Sequence, residues 1–319
     1  MKEISITQSV FKHFKKFSLY FLTMEPDERE KYLEAGKIAA KVREESKNMI
    51  KPGVKLLDVA ERIEQRIREL GGEPAFPVNI SVNHIAAHYT PEANDTSVFN
   101  EGDLVKIDIG VHIDGYIGDT AVSVLIGNDE EAKRLIEASE TALKKAIEAA
   151  KPGTNVGEIG GIIEKTITEF GFKPVRNLTG HGLARFDLHA PPQIPNVGIE
   201  SAYELKKGEV IAIEPFATTG SGLVREEERT MIFTITSANL MTRNFEARRI
   251  LEFAAKRGFL PFTKRWLNLD EIKLRFALRE LMIKNVLYEY PVLSDVKGCK
   301  VAQAEHTIIV DEQPVITTL

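Results

Sequence analysis

The sequence predicts an α+β fold built from two halves related by pseudo-twofold symmetry, and three observations carry that prediction. First, the 319-residue chain repeats itself at an offset of 100: Lys51-Pro52-Gly53 matches Lys151-Pro152-Gly153, Ile63-Glu64 matches Ile163-Glu164, and Ile67, Glu69, Gly71 and Pro74 match Ile167, Glu169, Gly171 and Pro174. Second, each copy begins with two amphipathic helical patterns. Third, each helix pair is followed by a strand-like run that ends on a carboxylate, Gly102-Asp103-Leu104-Val105-Lys106-Ile107-Asp108 in one half and Gly208-Glu209-Val210-Ile211-Ala212-Ile213-Glu214 in the other. Helices covering one face of antiparallel strands give the α+β class.

In chain order, residues 27–50 place Tyr32, Leu33, Ala35, Ile38, Ala39 and Val42 on one helical face, which Lys51-Pro52-Gly53 ends. Leu57, Ala60, Ile63 and Ile67 mark a second helix that stops at Gly71-Gly72. The same order recurs in 132–150 and in the stripe of Val156, Ile159, Ile163, Ile167 and Phe170. Between the two pairs, residues 105–124 read as a β-hairpin. Val105, Ile107 and Ile109 alternate with Lys106, Asp108 and Gly110, and Asp114-Gly115 offers turn chemistry before the run resumes at Tyr116. A four-residue loop would set Asp108 opposite Asp119, and a two-residue turn would make them diagonal neighbours. Either register puts both on one face, because the side-chain period is two. Like charges paired across a sheet repel, so the hairpin makes physical sense with a cation between them.

The second half is interrupted. After a strand-like run at 230–236 comes a helical stretch with Phe245, Ile250, Leu251, Phe253 and Ala254, then Pro261, then a helix expected to be capped at Asn268 and carrying Ile272, Phe276 and Leu281. A strand pattern returns only at 301–310, with Glu305 inside it. Residues 238–296 are therefore expected to form a helical subdomain inserted in a catalytic domain spanning 24–319. The basic and apolar segment 1–23 reads as a loosely attached tail, with Met24 a candidate translation start.

Composition narrows the function classes. With 43% hydrophobic and 28% charged residues the chain can bury a sizeable core, and a net charge of −5 gives no global basic field to recruit nucleic acid. The single cysteine, Cys299, rules out an internal disulfide and fits a reducing cytoplasm. No apolar run approaches the roughly 20 residues that cross a bilayer. There is no G-x-S-x-G, G-x-G-x-x-G or P-loop.

Four acids end or enter strand-like runs: Asp108, Asp119, Glu214 and Glu305. Together with His181, in Thr179-Gly180-His181-Gly182, they would bring too much negative charge to one place without cations. Carboxylates can bridge metals, and an oxygen-rich set with one imidazole suits two divalent ions such as Co, Mn, Fe or Zn.

These residues sit in Asn83-His84-Ile85-Ala86-Ala87-His88-Tyr89-Thr90-Pro91, the Asp108 hairpin, Gly180-His181-Gly182, Leu188-His189-Ala190, Ile213-Glu214-Pro215-Phe216 and Gln303-Ala304-Glu305-His306-Thr307. In that order, from about residue 24 to the end, the chain resembles the methionine aminopeptidases of the M24 metallopeptidase family. The insertion before Glu305 resembles the type II branch, and the missing charged N-terminal extension resembles its archaeal members. The resemblance implies the pita-bread fold and removal of N-terminal methionine from nascent polypeptides in the cytoplasm. It also implies a monomer that requires no nucleic acid, with the ribosome as a candidate partner. By position, Asp108 would bind one metal, His181 and Glu214 the other, and Asp119 and Glu305 would bridge them. A hydroxide shared by the metals would attack the first peptide carbonyl, with Glu214 as proton shuttle. His88 would contact the scissile region and His189 the substrate carbonyl. Phe99, Ile107 and the neighbours of His88 are candidates for the methionine pocket. The alternatives are an X-Pro aminopeptidase or dipeptidase, which usually carries an extra N-terminal domain, and a non-catalytic relative, which would have lost ligands.

Overall fold

A computed structural model of the chain describes residues 24–237 and 241–319. The tail expected at 1–23 lies outside the described residues. Helix α1, Pro26–Lys47, starts with proline in its first turn and a reciprocal cap between Glu25 and Glu28, and it buries Tyr32, Ala35, Ile38, Ala39 and Val42. Helix α2, Leu56–Glu69, buries Val59, Ala60, Ile63 and Ile67. In the second half, α3 (Glu130–Ala149) is capped by the Asp129 carboxylate, which accepts from the amides of Glu131 and Ala132, and α4 (Val156–Glu169) is capped by Asn155.

The repeat in the sequence is a repeat in space. Gly53 and Gly153 both adopt left-handed backbone, at φ +81° and +86°, which only glycine reaches without cost. Their amides donate to matching carbonyls, Phe99 at 2.8 Å and Leu205 at 2.7 Å. Glu64 accepts from the Val78 amide at 3.2 Å, and Glu164 from the Gly198 amide at 2.9 Å. Glu73–Pro74 pairs with the strand Leu104–Ile113, and Lys173–Pro174 pairs with Phe216–Thr218.

The hairpin consists of Leu104–Ile113 and Tyr116–Leu125, with Gly110 opposite Asp119 and Asp108 opposite Ala121. Asp114 and Gly115 form a two-residue turn with φ of +50° and +89°, the twist that matches right-handed strands. Asp108 and Asp119 are therefore diagonal neighbours on one face. In the other half Val210–Ile213 pairs with both Thr179–Ala184 and His306–Ile309. The halves are stitched together beside these acids. The Thr307 hydroxyl accepts from the Asp119 amide and donates to the Asp119 carbonyl, both at 2.8 Å. The Gln303 amide donates to Ser123 Oγ, which donates to the Gln303 carbonyl, both at 2.8 Å. Each half has its own apolar core, one around Ile63, Ile67 and Ile107, the other around Ile163, Ile167 and Ile213.

The interrupting stretch holds α5 (Phe245–Lys256) and α6 (Glu271–Ile283) around a third core with Phe233, Phe262, Leu274 and Leu281. Two expectations are corrected here. Asp270, not Asn268, caps α6, accepting from the Lys273 amide, while Asn268 lies in left-handed backbone at φ +45°. The stretch is also not purely helical: Leu287–Ser294 is a strand that pairs with Arg225–Ile235 and with Ile85–Ala87. Pro291 lies inside it, and a proline within a run argues against a strand. It is tolerated because the register shifts there, between the Thr230–Pro291 and Ile232–Tyr290 pairs. Among the described residues no helix is long and apolar enough to cross a membrane.

Candidate metal centre and active site

All seven residues singled out in the sequence, His88, Asp108, Asp119, His181, His189, Glu214 and Glu305, line one cavity of about 230 Å³. Asp108 and Asp119 come from the hairpin, His181 from Thr179–Ala184, Glu214 from the end of Val210–Ile213, and Glu305 from the link before His306–Ile309. Donor atoms of Asp119, His181 and Glu305 lie within 4.8 Å of one another.

The charges in this cluster are unbalanced. Burial raises the Asp108 carboxyl to about 7, eased slightly by a hydrogen bond from Gln303. Burial, then repulsion from Asp108 and Glu214, pushes Asp119 well up. Glu214 rises through burial and Asp108, and Glu305 through burial and its three acidic neighbours. Desolvation moves the histidine the other way, taking His181 down to about 4. The ring is therefore neutral. Its Nδ1 lies 3.2 Å from the Gly182 carbonyl, an arrangement that places the proton there and leaves the Nε2 lone pair free. That lone pair faces Glu214 Oε1 at 3.6 Å and Asp119 Oδ2 at 3.8 Å, beyond hydrogen-bond reach. No hydrogen bond joins the ring nitrogen to either carboxylate oxygen, and among the described residues Oδ1 of both Asp108 and Asp119 is buried without a donor. Such a set fits a divalent cation.

Beside the polar Asn79, Asn177 and Thr179, the wall is apolar and aromatic, with Phe76, Leu178, Leu188, Phe216, Ile232 and Pro261. Phe99 and Ile107, expected in the pocket, are instead buried in the core of the first half. Ile107 alternates with Asp108, so it points to the opposite face of the sheet. Ala87, next to His88, does line the cavity. Ile232, Pro261 and Tyr290, to which the sequence pattern gave no part in the site, also line the cavity. Tyr290 packs against His88 and His189 at ring distances of 5.6 and 5.8 Å. Asn79, opposite Asp108 in the sheet, was also not anticipated. Gln303 lay in a noted motif but without a role; its side-chain amide donates to Glu305 at 3.4 Å and Glu214 at 3.5 Å.

The Metallopeptidase family M24 model matches residues 30–264. The chain belongs to the M24 metallopeptidases. Within that family it groups with the archaeal-type methionine aminopeptidases. It is 48% identical to the methionine aminopeptidase of Methanocaldococcus jannaschii over 92% of this chain and 100% of that one. It is 50% identical to that of Pyrococcus horikoshii over 91% and 98%. Among solved structures, a methionine aminopeptidase from Thermotoga maritima, 28% identical, superposes with a TM-score of 0.69 over 92% of this chain and 98% of that one. A Pyrococcus furiosus prolidase, 21% identical, shares the fold at a TM-score of 0.60 over 92% of this chain and 64% of its own. The α+β architecture is the pita-bread fold of these M24 enzymes, and the curated relatives favour the aminopeptidase over the prolidase reading.

Proposed function

We propose that the chain removes the N-terminal methionine of nascent polypeptides, using two divalent ions held by Asp108, Asp119, His181, Glu214 and Glu305. The observation that carries this reading is the buried lone pair of His181 facing two carboxylates at 3.6 and 3.8 Å beside orphaned Asp108 and Asp119 oxygens. Asp108 is assigned to one ion, His181 and Glu214 to the other, and Asp119 and Glu305 to both. Bound there, divalent ions would balance the acids, polarise the peptide carbonyl and make a nucleophile of water near neutral pH.

The remaining roles follow from the protein. Glu214 is placed to take a proton from the attacking water and deliver it to the leaving amine, a transfer its desolvated carboxyl favours. Burial, then His181 and His88, hold the His189 imidazole well below its usual range, so at neutral pH it is an uncharged donor suited to a carbonyl oxygen. His88 sits in left-handed backbone at φ +64° with Nδ1 3.1 Å from the Pro291 carbonyl. With its proton on Nδ1, Nε2 is left to accept the N–H of the scissile amide. A non-glycine residue held in that conformation is a cost that functional sites often carry. The apolar wall takes the methionine side chain, and the space beyond the scissile bond favours a small second residue. Cytoplasmic action near the ribosome, as a monomer built around an inserted subdomain at 238–296, fits this substrate.

Purified protein loaded with Mn or Co and offered Met-Ala-Ser and Ala-Pro peptides tests the assignment. Methionine release is expected; cleavage beside proline without methionine release would overturn it.

A further inference from the structure

A second cavity, of about 400 Å³, lies away from the metal centre, between the first half and the inserted stretch. It is lined by Arg68, Glu73 and His112 from the first half and by Phe253, Lys256, Arg257 and Trp266 from the insertion. Three side chains are cationic and one is acidic. That acid, Glu73, is already paired with Arg68 at 3.2 Å.

Arg257 is the unusual member. Its guanidinium lies over the Trp266 ring at 4.7 Å, and among the described residues its hydrogen bonds run to two backbone carbonyls, Pro74 at 2.8 Å and Pro261 at 3.4 Å. Its Nε is shut off from solvent with no partner. The nearby Glu64 is already taken, binding Arg265, the Trp266 indole N–H at 2.8 Å and the Val78 amide. Burial lowers Arg257 to about 10, with Arg68 adding to the shift and the charges of Glu73 and Glu64 offsetting only part of it. A largely desolvated guanidinium is normally matched by a directly bonded carboxylate or phosphate, and Arg257 has neither among the described residues. His112 adds a directed donor. Its Nδ1 accepts from the Gly115 amide at 3.2 Å, which places the proton on Nε2, and burial, then Arg257, keep the ring uncharged.

We infer that this cavity is a binding site for a small molecule carrying a phosphate or similar oxyanion, held by Arg257, Lys256, Arg68 and the His112 Nε2–H between aromatic walls. The planar fork of Arg257 suits an oxyanion, and Phe253 and Trp266 leave room for an apolar or planar body attached to it. The site joins the first half to the insertion, which supplies Pro261 and Tyr290 to the active-site cavity. An anion bound there ties the insertion down and stabilises the folded protein by mass action.

The test is isothermal titration of the metal-loaded enzyme with inorganic phosphate at constant ionic strength, on wild type, Arg257→Met and Lys256→Gln. Lys256 is exposed, so its variant keeps the fold and guards against a folding failure of Arg257→Met. Saturable binding that weakens about tenfold or more in Arg257→Met and a few-fold in Lys256→Gln supports the site. Absence of saturable binding, or phosphate binding equal in all three proteins and lost on chelation, which would place it at the metal centre, overturns it.

Discussion

The acidic floor of the active-site cavity draws on the duplicated halves alone, whereas its apolar wall combines residues of those halves with residues from the interrupting stretch. The floor comes from the duplicated halves. Asp108 and Asp119 sit on a hairpin whose register is fixed by a two-residue turn, and Glu214 ends the equivalent strand of the other half. The wall takes Phe76, Leu178, Leu188 and Phe216 from those halves and adds Ile232, Pro261 and Tyr290. The difference is one of composition: the duplicated halves bring the acids together, and the stretch that interrupts the second half adds Pro261 and Tyr290 to the wall beside them.

The largest effect that can test this contrast is removal of a floor residue. Glu305→Ala and Asp108→Ala are expected to lose metal and at least about a thousandfold in kcat, because the remaining acids no longer enclose a cation. Normal turnover in a variant with measured metal content would break the assignment. His189→Ala is next, with kcat falling about a hundredfold while metal content holds, the usual scale for one donor to a developing charge. Loss of metal in that variant would move His189 into the floor. Truncating the wall should act on binding alone. Leu188→Ala is expected to raise KM about tenfold for a methionyl peptide with little change in metal affinity, the scale of a few lost methylenes. An equal fall in kcat would show that the wall also positions the reacting bond.

Metal removal separates the two regions thermodynamically. In apoprotein the folded-state pKa values of Asp108, Asp119, Glu214 and Glu305 lie above their ordinary values, with Asp108 near 7. The native state then holds more protons than the unfolded chain, so stability is greatest below about pH 4 to 5 for these groups and falls as pH rises through 7. The Tm of chelated protein is expected to drop between pH 5 and 8, and metal-loaded protein should lose that dependence. Identical pH profiles would mean the acids do not hold the ions.

The floor was legible in the sequence because its determinants are local. Alternation put Asp108 and Asp119 on one face, Asp114-Gly115 allowed the turn that makes them diagonal neighbours, and the echo of residues 102–108 in 208–214 tied Glu214 to Asp108. The helices were legible because apolar periodicity and the Lys-Pro-Gly stops are local too. Phe99 and Ile107 were misplaced because burial is visible in a sequence pattern but the cavity a side chain faces is not; both are wholly buried, against the wrong face. Leu287–Ser294 escaped notice because Pro291 breaks its pattern and only the shifted register accommodates it. Tyr290 and Pro261 reach the cavity through tertiary packing of the insertion, which leaves no periodic trace.

The central claim is that the acids around His181 hold the divalent ions that drive methionine removal. Titrating apoprotein with Mn or Co while recording bound metal and methionine release from Met-Ala-Ser in the same samples tests it most directly. Methionine release should be absent without metal and rise in step with occupancy, and Asp119→Asn should abolish both together. Full activity in metal-free protein, or metal binding unchanged in Asp119→Asn, would contradict it.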